Sequence, residues 1–181
     1  GFAKNEELLE RFVPEMTGTA DYSAAAPGSM GEGIMMAEEV GAALYDENWV
    51  IGLGITSHYP KENSLMMDWT KIYVDGNGER FTNEAIHYAM ATNAVAMAEE
   101  PWAVFDSAEA NADLITILEE GELEGEYVTA DNIEALAAEM GADEATLVST
   151  IETYNAGANG GEDEFGKPAD FIVPVETGPF Y

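Results

Sequence analysis

The excess of acidic residues constrains this chain more than any other feature. Among its 181 residues, 36 are Asp or Glu and six are Lys or Arg, so the formal net charge at pH 7 is -30. Repulsion between so many like charges opposes a compact state. An apolar core has to offset it, and the composition allows one, with 46% hydrophobic and 10% aromatic residues. Because a disordered acidic tail would be poor in aromatic residues, the sequence predicts a folded protein.

The same charge excludes several classes of partner. Nucleic acids and anionic membranes repel such a surface, and no run of about 18 apolar residues indicates a membrane span. The absence of cysteine removes disulfides, thiol catalysis and zinc–thiolate sites. Two interpretations of the acidity stay open: it serves solubility or adaptation to salt, or it forms a surface for binding or docking.

The spacing of apolar residues predicts an α+β fold, in which helices and short strands do not alternate strictly. Helices are predicted over residues 5–12, about 33–43 with Gly41 in the last turn, from 82 or 83 to Pro101, around 114–118, over 131–141, and onward from Asp143. Strands are predicted at 49–55 and 102–106, and residues 71–81 have the pattern of a hairpin that turns at 75–78. In the helix that Gly141 ends, Asp131 is the predicted N-cap.

Neither of the two acidic loops indicates a metal site. Asp75, Asn77 and Glu79 mimic the start of a calcium loop, but the sixth position, which requires glycine, is Arg80. The acidic cluster in residues 155–170 has the composition of a flexible, solvated loop. The sequence therefore predicts no metal.

Few side chains are candidates for catalysis. No G-x-S-x-G motif is present, and the histidines are His58 and His87. His58 follows a predicted strand, where it can be structural or can face a cleft. His87 and Tyr88 are predicted one turn into a helix, about 100° apart around its axis, so at most one of them would occupy a given position in a cleft.

Glycines precede the second predicted helix, and their role is open. Gly31 and Gly33 flank Glu32 in the stretch MGEGIMMAEEVGAAL. Glycines ahead of a helix N-terminus let backbone N–H groups approach an anionic ligand closely, although such glycines also occur in ordinary loops.

Six motifs in order resemble the fumarate reductase/succinate dehydrogenase flavoprotein family, particularly its flavocytochrome c-like and 3-ketosteroid dehydrogenase-like members. They are GF-K-N at the start, MGEGIMMAEEVGAAL, IYVDGNGERFTNE, VFD, ADNIEALAAEMGADEATLVSTIETYN, and DEFGK followed by GPFY. The resemblance covers nearly the whole chain and implies FAD as cofactor. It also implies that residues 1–57 are a segment of the FAD-binding domain and residues 58–181 a capping domain, with the dinucleotide-binding glycines upstream of Gly1. On that basis the fragment alone is not expected to hold FAD or turn over.

The resemblance assigns roles to individual residues. The family's Gly-Asp-Gly near FAD corresponds to Gly31, Glu32 and Gly33, and its substrate-contacting histidine, normally followed by proline, corresponds to His58. The family's Thr-Glu substrate pair is absent between residues 60 and 71. The arginine that donates the proton in fumarate reductases, four residues after the glutamate of Gly-x-Arg-Phe-x-Asn-Glu, corresponds to Tyr88.

The replacement of arginine by tyrosine changes the expected substrate. Arginine pairs bidentately with a carboxylate, whereas tyrosine can donate a proton or bind a carbonyl but cannot neutralise a dicarboxylate. We therefore expect reduction or formation of an activated C=C bond in an enone, a steroid-like ketone or an aryl acrylate, with Tyr88 or His87 as proton donor. The alternative is a non-catalytic acidic docking module. Beyond the substrate, the expected partner is the rest of the same FAD-binding domain. Family members occur both in the cytoplasm and exported, so the compartment stays open.

Overall fold

The computed structural model describes residues 1–23, 25–45, 69–121, 125 and 127–181, with Tyr22 described by its backbone alone. The chain divides into two compact units, Gly1–Gly52 and Leu53–Tyr181. The predicted strand at 49–55 lies outside the described residues.

The first unit opens with helix α1, Glu6–Phe12. Asn5 is its N-cap, because the Asn5 side chain accepts a hydrogen bond from the N–H of Leu8 at 3.3 Å. Leu8 and Leu9 are buried and form its apolar face, and the predicted helix at 5–12 is confirmed. Two 3₁₀ turns follow, at Pro14–Met16 and Ala20–Tyr22.

Helix α2, Glu32–Glu39, is shorter than the predicted helix at 33–43. Gly41 adopts a left-handed φ of 83°, and the N–H of Ala42 bonds to the carbonyl of Ala37 at 2.9 Å. This hydrogen-bond pattern closes the C-terminus of a helix. The prediction that Gly41 lies inside the last turn is therefore wrong.

The second unit contains a two-stranded antiparallel sheet of β1, Ile72–Val74, and β2, Trp102–Val104. The predicted strand at 102–106 is confirmed in its first three residues. The predicted hairpin at 71–81 is reduced to a single bridge between Val74 and Arg80, because the chain leaves the sheet after Arg80. The mixture of helices and a small sheet agrees with the predicted α+β class.

The helices described in this unit are α3 Tyr88–Met97, α4 Ala112–Glu119, α5 Ile133–Met140 and α6 Glu144–Ala158, with 3₁₀ turns at Glu109–Asn111 and Ala169–Phe171. Asp143 caps α6, and Gly141 ends α5 with a left-handed φ of 77°, both as predicted. The predicted cap of α5, Asp131, is wrong. Asn132 has the extended backbone of an N-cap, and its side chain accepts the N–H of Ala135 at 2.8 Å.

Helix α3 begins at Tyr88 rather than at Thr82 or Asn83 and ends at Met97, before Pro101. The prediction fails at its start because Asn83 folds the chain into a turn. The carbonyl of Asn83 accepts the N–H of Ile86 at 3.2 Å, and this hydrogen bond interrupts the helical pattern.

Three apolar clusters form the described core of the second unit. The largest combines residues from the sheet, α5, α6 and the C-terminal segment: Ile72, Val74, Val104, Leu136, Ala137, Met140, Leu147, Ile151, Tyr154, Ile172, Val175 and Phe180. The second consists of Tyr73, Ala91 and Val95, and the third of Phe105, Leu114 and Leu118. Among the described helices, none is both long and apolar enough to cross a membrane.

Candidate functional site

A tight turn after β1 begins the stretch that carries the candidate acid. The Oδ1 atom of Asp75 accepts hydrogen bonds from the N–H groups of Asn77 and Glu79, at 2.9 and 3.0 Å. Gly78 has a φ of 89°, and a Cβ at this position would lie 2.9 Å from the Cβ of Leu147 in α6. Only glycine fits such a turn without strain. The turn reverses the chain and brings the next residues back beside β1.

Two carboxylates hold the guanidinium of Arg80 in the interior. Arg80 Nε and Nη2 donate hydrogen bonds to the two oxygens of Glu84 at 2.9 and 2.8 Å, and Nη1 donates to Asp163 at 2.5 Å. The ammonium of Lys167 lies 3.1 Å from Glu84. All four side chains are at most 4% exposed. Two cations and two anions thus neutralise one another, and we call Arg80, Glu84, Asp163 and Lys167 the ion network.

Further hydrogen bonds tie this network to the sheet and to α6. Lys167 Nζ donates to the carbonyl of Lys71 and to the hydroxyl of Tyr154, both at 3.0 Å. Glu84 Oε1 accepts the backbone N–H of Tyr73 at 3.0 Å. A buried charge is tolerated when it is paired and its remaining hydrogen-bonding capacity is used, and these contacts meet that requirement.

Asp163 corrects the interpretation of residues 155–170 as a solvated loop. Helix α6 continues to Ala158, and the Asp163 side chain is 2% exposed. Its Oδ1 accepts the N–H groups of Phe165 and Lys167 at 3.1 and 2.7 Å. The prediction fails because the cation that Asp163 pairs with is Arg80, 83 positions earlier, which no local pattern reveals.

The network shifts the pKa values of its members. Burial alone would raise the pKa of Asp163, but the hydrogen bond from Arg80 and the N–H of Lys167 outweigh it and lower that pKa. Burial lowers the pKa of Lys167, and the attraction of Glu84 only partly opposes this. Burial, and next to it the charge of Glu84, raise the pKa of the Tyr154 hydroxyl.

Asn83 builds the turn between the network and α3. Its Oδ1 accepts the N–H of Ala85 at 2.9 Å, and its carbonyl accepts the N–H of Ile86 at 3.2 Å. Its Nδ2 donates to the carbonyl of Phe165 at 3.2 Å. The turn is therefore fixed both within itself and to the segment that carries Asp163.

His87 and Tyr88 lie at the start of α3, not one turn inside a helix. His87 is the N-cap, with Nδ1 accepting the N–H of Ala89 at 3.3 Å. The expected separation of about 100° therefore does not apply. The two rings are in contact, with 4.1 Å between their centroids and an angle of 34° between their planes. His87 is exposed, whereas Tyr88 is half-buried against the cluster of Tyr73. No hydrogen bond joins the Tyr88 hydroxyl to any residue that the structure describes.

In the first unit, Gly31, Glu32 and Gly33 form the N-terminus of α2. Gly31 has a φ of 84°, and a Cβ here would overlap the side chain of Leu8, so packing already explains this glycine. A Cβ on Gly33 would meet nothing within 4 Å, and Glu32 is exposed. The N–H groups of residues 32 and 33 bond to no described residue. The free N–H groups can donate to an anionic group of FAD, and Gly33 leaves room for its approach. The Glu32 carboxylate can accept a hydrogen bond from a polar group of FAD.

The structure does not place His58, which lies outside the described residues. It adds residues that the sequence reasoning missed: Asn83, Asp163 and Lys167 around the turn, and Thr92 in α3. The Thr92 hydroxyl is buried and has no hydrogen-bond partner among the residues that the structure describes. The one local signal for Asp163 and Lys167 was the scarcity of cations, since each buried Arg or Lys requires an acceptor. No three His, Asp or Glu side chains within the described ranges converge in a way that could hold a metal ion.

Comparison with known proteins identifies the family. The family described as "FAD binding domain" matches residues 3–181. The chain belongs to this FAD binding domain family. This match confirms the predicted FAD cofactor. The relatives described next confirm the resemblance to fumarate reductases and ketosteroid dehydrogenases.

Among curated members of the family, a probable fumarate reductase of Shewanella frigidimarina is 24% identical over 100% of this chain and 31% of its own length. A vinyl phenol reductase of Lactiplantibacillus plantarum is 25% identical over 100% of this chain and 44% of its own. The solved 3-ketosteroid Δ1-dehydrogenase of Sterolibacterium denitrificans, in complex with 1,4-androstadiene-3,17-dione, superposes with a TM-score of 0.69 at 25% identity, over 99% of this chain and 39% of its own. The chain thus spans less than half the length of these relatives. As a family, they are FAD-dependent oxidoreductases that act on C=C or CH–CH groups.

Proposed function

We propose that the protein of which this chain forms part is an FAD-dependent oxidoreductase that reduces an activated C=C bond, or forms one in the reverse direction, with Tyr88 as proton donor. Residues 1–57 belong to its FAD-binding domain, with Gly31, Glu32 and Gly33 as cofactor contacts. Residues 58–181 belong to its capping domain, in which His58 contacts the substrate. The small-molecule substrate is uncharged near the reacting bond, unlike fumarate.

The observation that carries this proposal is the contrast between Tyr88 and Arg80. The Tyr88 hydroxyl has no partner among the described residues, whereas all three nitrogens of the Arg80 guanidinium bind Glu84 or Asp163. No arginine follows Arg80 in the chain. Residues 81–181 therefore offer a phenol for proton transfer and no guanidinium for a substrate carboxylate. The relatives include both kinds of protein: a fumarate reductase, and the vinyl phenol and ketosteroid enzymes, whose named compounds have no carboxylate. The choice between the two therefore rests on Tyr88 and Arg80.

The chain's own residues have a limited set of tasks in such a reaction. FAD held in its reduced form by an electron donor would supply a hydride to one carbon of the double bond and would be left oxidised. Tyr88 delivers a proton from its hydroxyl to the other carbon. The neighbouring His87 is exposed to solvent, so a water molecule can return a proton to Tyr88 at the start of α3. Because His87 Nδ1 accepts the Ala89 N–H, Nε2 is the nitrogen left for proton exchange.

Tyr88→Phe in the full-length flavoenzyme tests the role of Tyr88. We expect kcat to fall at least about 10²-fold, the usual contribution of a general acid. The assay supplies 4-vinylphenol, 1,4-androstadiene-3,17-dione and fumarate in parallel, and fumarate should be the poorest. Tyr127→Phe, in a different apolar cluster, is the matched control and should leave kcat unchanged.

His87→Asn separates the two candidate donors, because asparagine preserves the N-cap while removing the imidazole. Unchanged kcat in Tyr88→Phe with a large loss in His87→Asn would transfer the role to His87. Unchanged kcat in both would disprove the proposed acid. Fastest turnover of fumarate would disprove the proposed substrate class.

A further inference from the structure

The backbone between the ion network and Tyr88 is short and hydrogen-bonded. Glu84, four residues before Tyr88, is fully buried and held by two cations. Asn83 accepts hydrogen bonds from the N–H groups of Ala85 and Ile86, two and three positions after it, and His87 accepts one from the N–H of Ala89. The position of Tyr88 is therefore set by this turn.

A segment far along the chain clamps the turn from outside. Within residues 163–167, Asp163 binds Arg80, the carbonyl of Phe165 accepts Asn83 Nδ2, and Lys167 binds Glu84. Arg80 precedes the turn, whereas Asn83 and Glu84 lie in it, so the three contacts hold both the turn and the residues that lead into it. No described hydrogen bond joins this segment to α3 itself, so its effect on Tyr88 passes through Asn83 and Glu84.

A second connection runs through Tyr73 in β1. Its backbone N–H donates to Glu84 Oε1 at 3.0 Å, and its buried side chain belongs to the apolar cluster against which Tyr88 packs. One carboxylate thus orients both the turn that leads to Tyr88 and the strand beneath its ring.

We infer that Asn83 and the segment 163–167 are positioning elements for proton transfer by Tyr88, although none of them touches the substrate. This inference rests on the proposed function of Tyr88. A proton donor works only within hydrogen-bond reach of its acceptor, and a displacement of about 1 Å can cost about 10²-fold in rate. Loosening the turn should therefore slow the chemical step and leave substrate binding almost unchanged.

Asn83→Ala in the full-length flavoenzyme tests the inference, assayed with whichever of the three compounds named above is turned over fastest. We expect kcat to fall about 10-fold while KM changes less than about 2-fold, and the solvent deuterium isotope effect on kcat to increase. Hydrogen exchange of the amides of residues 85–91 should accelerate. Asn132→Ala is the matched control, because it removes a comparable hydrogen bond from an asparagine side chain to a nearby backbone N–H, here at the N-cap of α5. It should lower Tm by a similar amount without changing kcat or the isotope effect.

Asn83→Asp isolates the contact with the distant segment, since aspartate keeps the acceptor for Ala85 N–H and loses the donor to Phe165. We expect it to reduce kcat by a smaller factor than Asn83→Ala. Wild-type kcat and isotope effect in both variants, alongside a large loss in Tyr88→Phe, would overturn this inference and leave the proposed function standing. If Tyr88→Phe itself keeps wild-type kcat, the proposed function fails and this inference fails with it.

Discussion

The guanidinium of Arg80 and the carboxylate of Asp163 meet at 2.5 Å, although 83 positions separate them in the chain. The contact joins the turn after β1 to the loop after α6. Through Glu84 and Lys167 it extends into a neutral group of four buried charges. In a chain with six cations and 36 acids, two of the cations are therefore committed to one internal site.

Glu84→Gln should destabilise the protein strongly. The substitution keeps the shape of the side chain but removes the charge that pairs with both Arg80 and Lys167. Two buried cations would then share Asp163 alone. Removing one member of a buried ion pair costs about 3–5 kcal/mol, which urea unfolding can measure. The exposed Glu162→Gln, as control, should change the free energy of unfolding by no more than about 0.5 kcal/mol. A similarly small change in Glu84→Gln would contradict the prediction.

The acid sensitivity of folding should depend on Asp163. Because the pKa of Asp163 is lowered in the folded protein, its ionised form stabilises the fold fully above the ordinary value of 3.8. That contribution is lost as the pH falls below 3.8 and through the folded pKa. Asp163→Asn should be less stable at pH 7, and its stability should fall less steeply below pH 4.

The measurement is the difference in unfolding free energy between wild type and Asp163→Asn from pH 7 to pH 3. Taking the difference cancels the general effect of protonating the other carboxylates. The difference should shrink toward low pH. A difference that stays constant over the whole range would show that Asp163 keeps an ordinary pKa.

Gly78→Ala should cost more stability than Gly141→Ala. Both glycines have left-handed φ values, 89° and 77°, so alanine is strained at either site, by about 1–2 kcal/mol. At Gly78 the new Cβ would also press on Leu147, at 2.9 Å, whereas at Gly141 it would meet nothing within 4 Å. Overpacking adds about 1–3 kcal/mol. Thermal unfolding of the two variants should show a clearly lower Tm for Gly78→Ala, and equal Tm values would refute the packing argument.

Thr92→Val should stabilise the protein. Within the described part of the chain, the buried Thr92 hydroxyl has no hydrogen-bond partner, and an unsatisfied buried polar group costs about 1–3 kcal/mol. Valine has nearly the same shape and removes that cost, so we expect a gain of about 1 kcal/mol in chemical denaturation. Thr116→Val is the control in α4, where the exposed hydroxyl donates to the carbonyl of Ala112 at 2.9 Å. It should bring no gain. A loss of stability in Thr92→Val would indicate that the hydroxyl has a partner in the folded protein.

Sequence alone determined the features that depend on neighbouring residues. Hydrogen bonds or contacts within a few positions fix the helix ends at Asp143 and Gly141, the apolar faces of α1, α5 and α6, and the glycine turn at 75–78. The order of motifs gave the family and its FAD cofactor, and it pointed to Tyr88 as the residue in the position of the family's acid.

Tertiary structure decided what depends on distant residues. Strand β1 pairs with β2 instead of completing its local hairpin, and α3 starts at Tyr88 because Asn83 is engaged in a turn and bound to Phe165. Asp163 is buried instead of solvated, since Arg80 arrives from 83 positions away. For β1 and Asp163, a local preference worth a fraction of a kcal/mol is outweighed by long-range pairing of strands or of buried charges, which the local sequence pattern does not encode. For α3, the hydrogen bond from Asn83 to Phe165, 82 positions later, adds to the local turn.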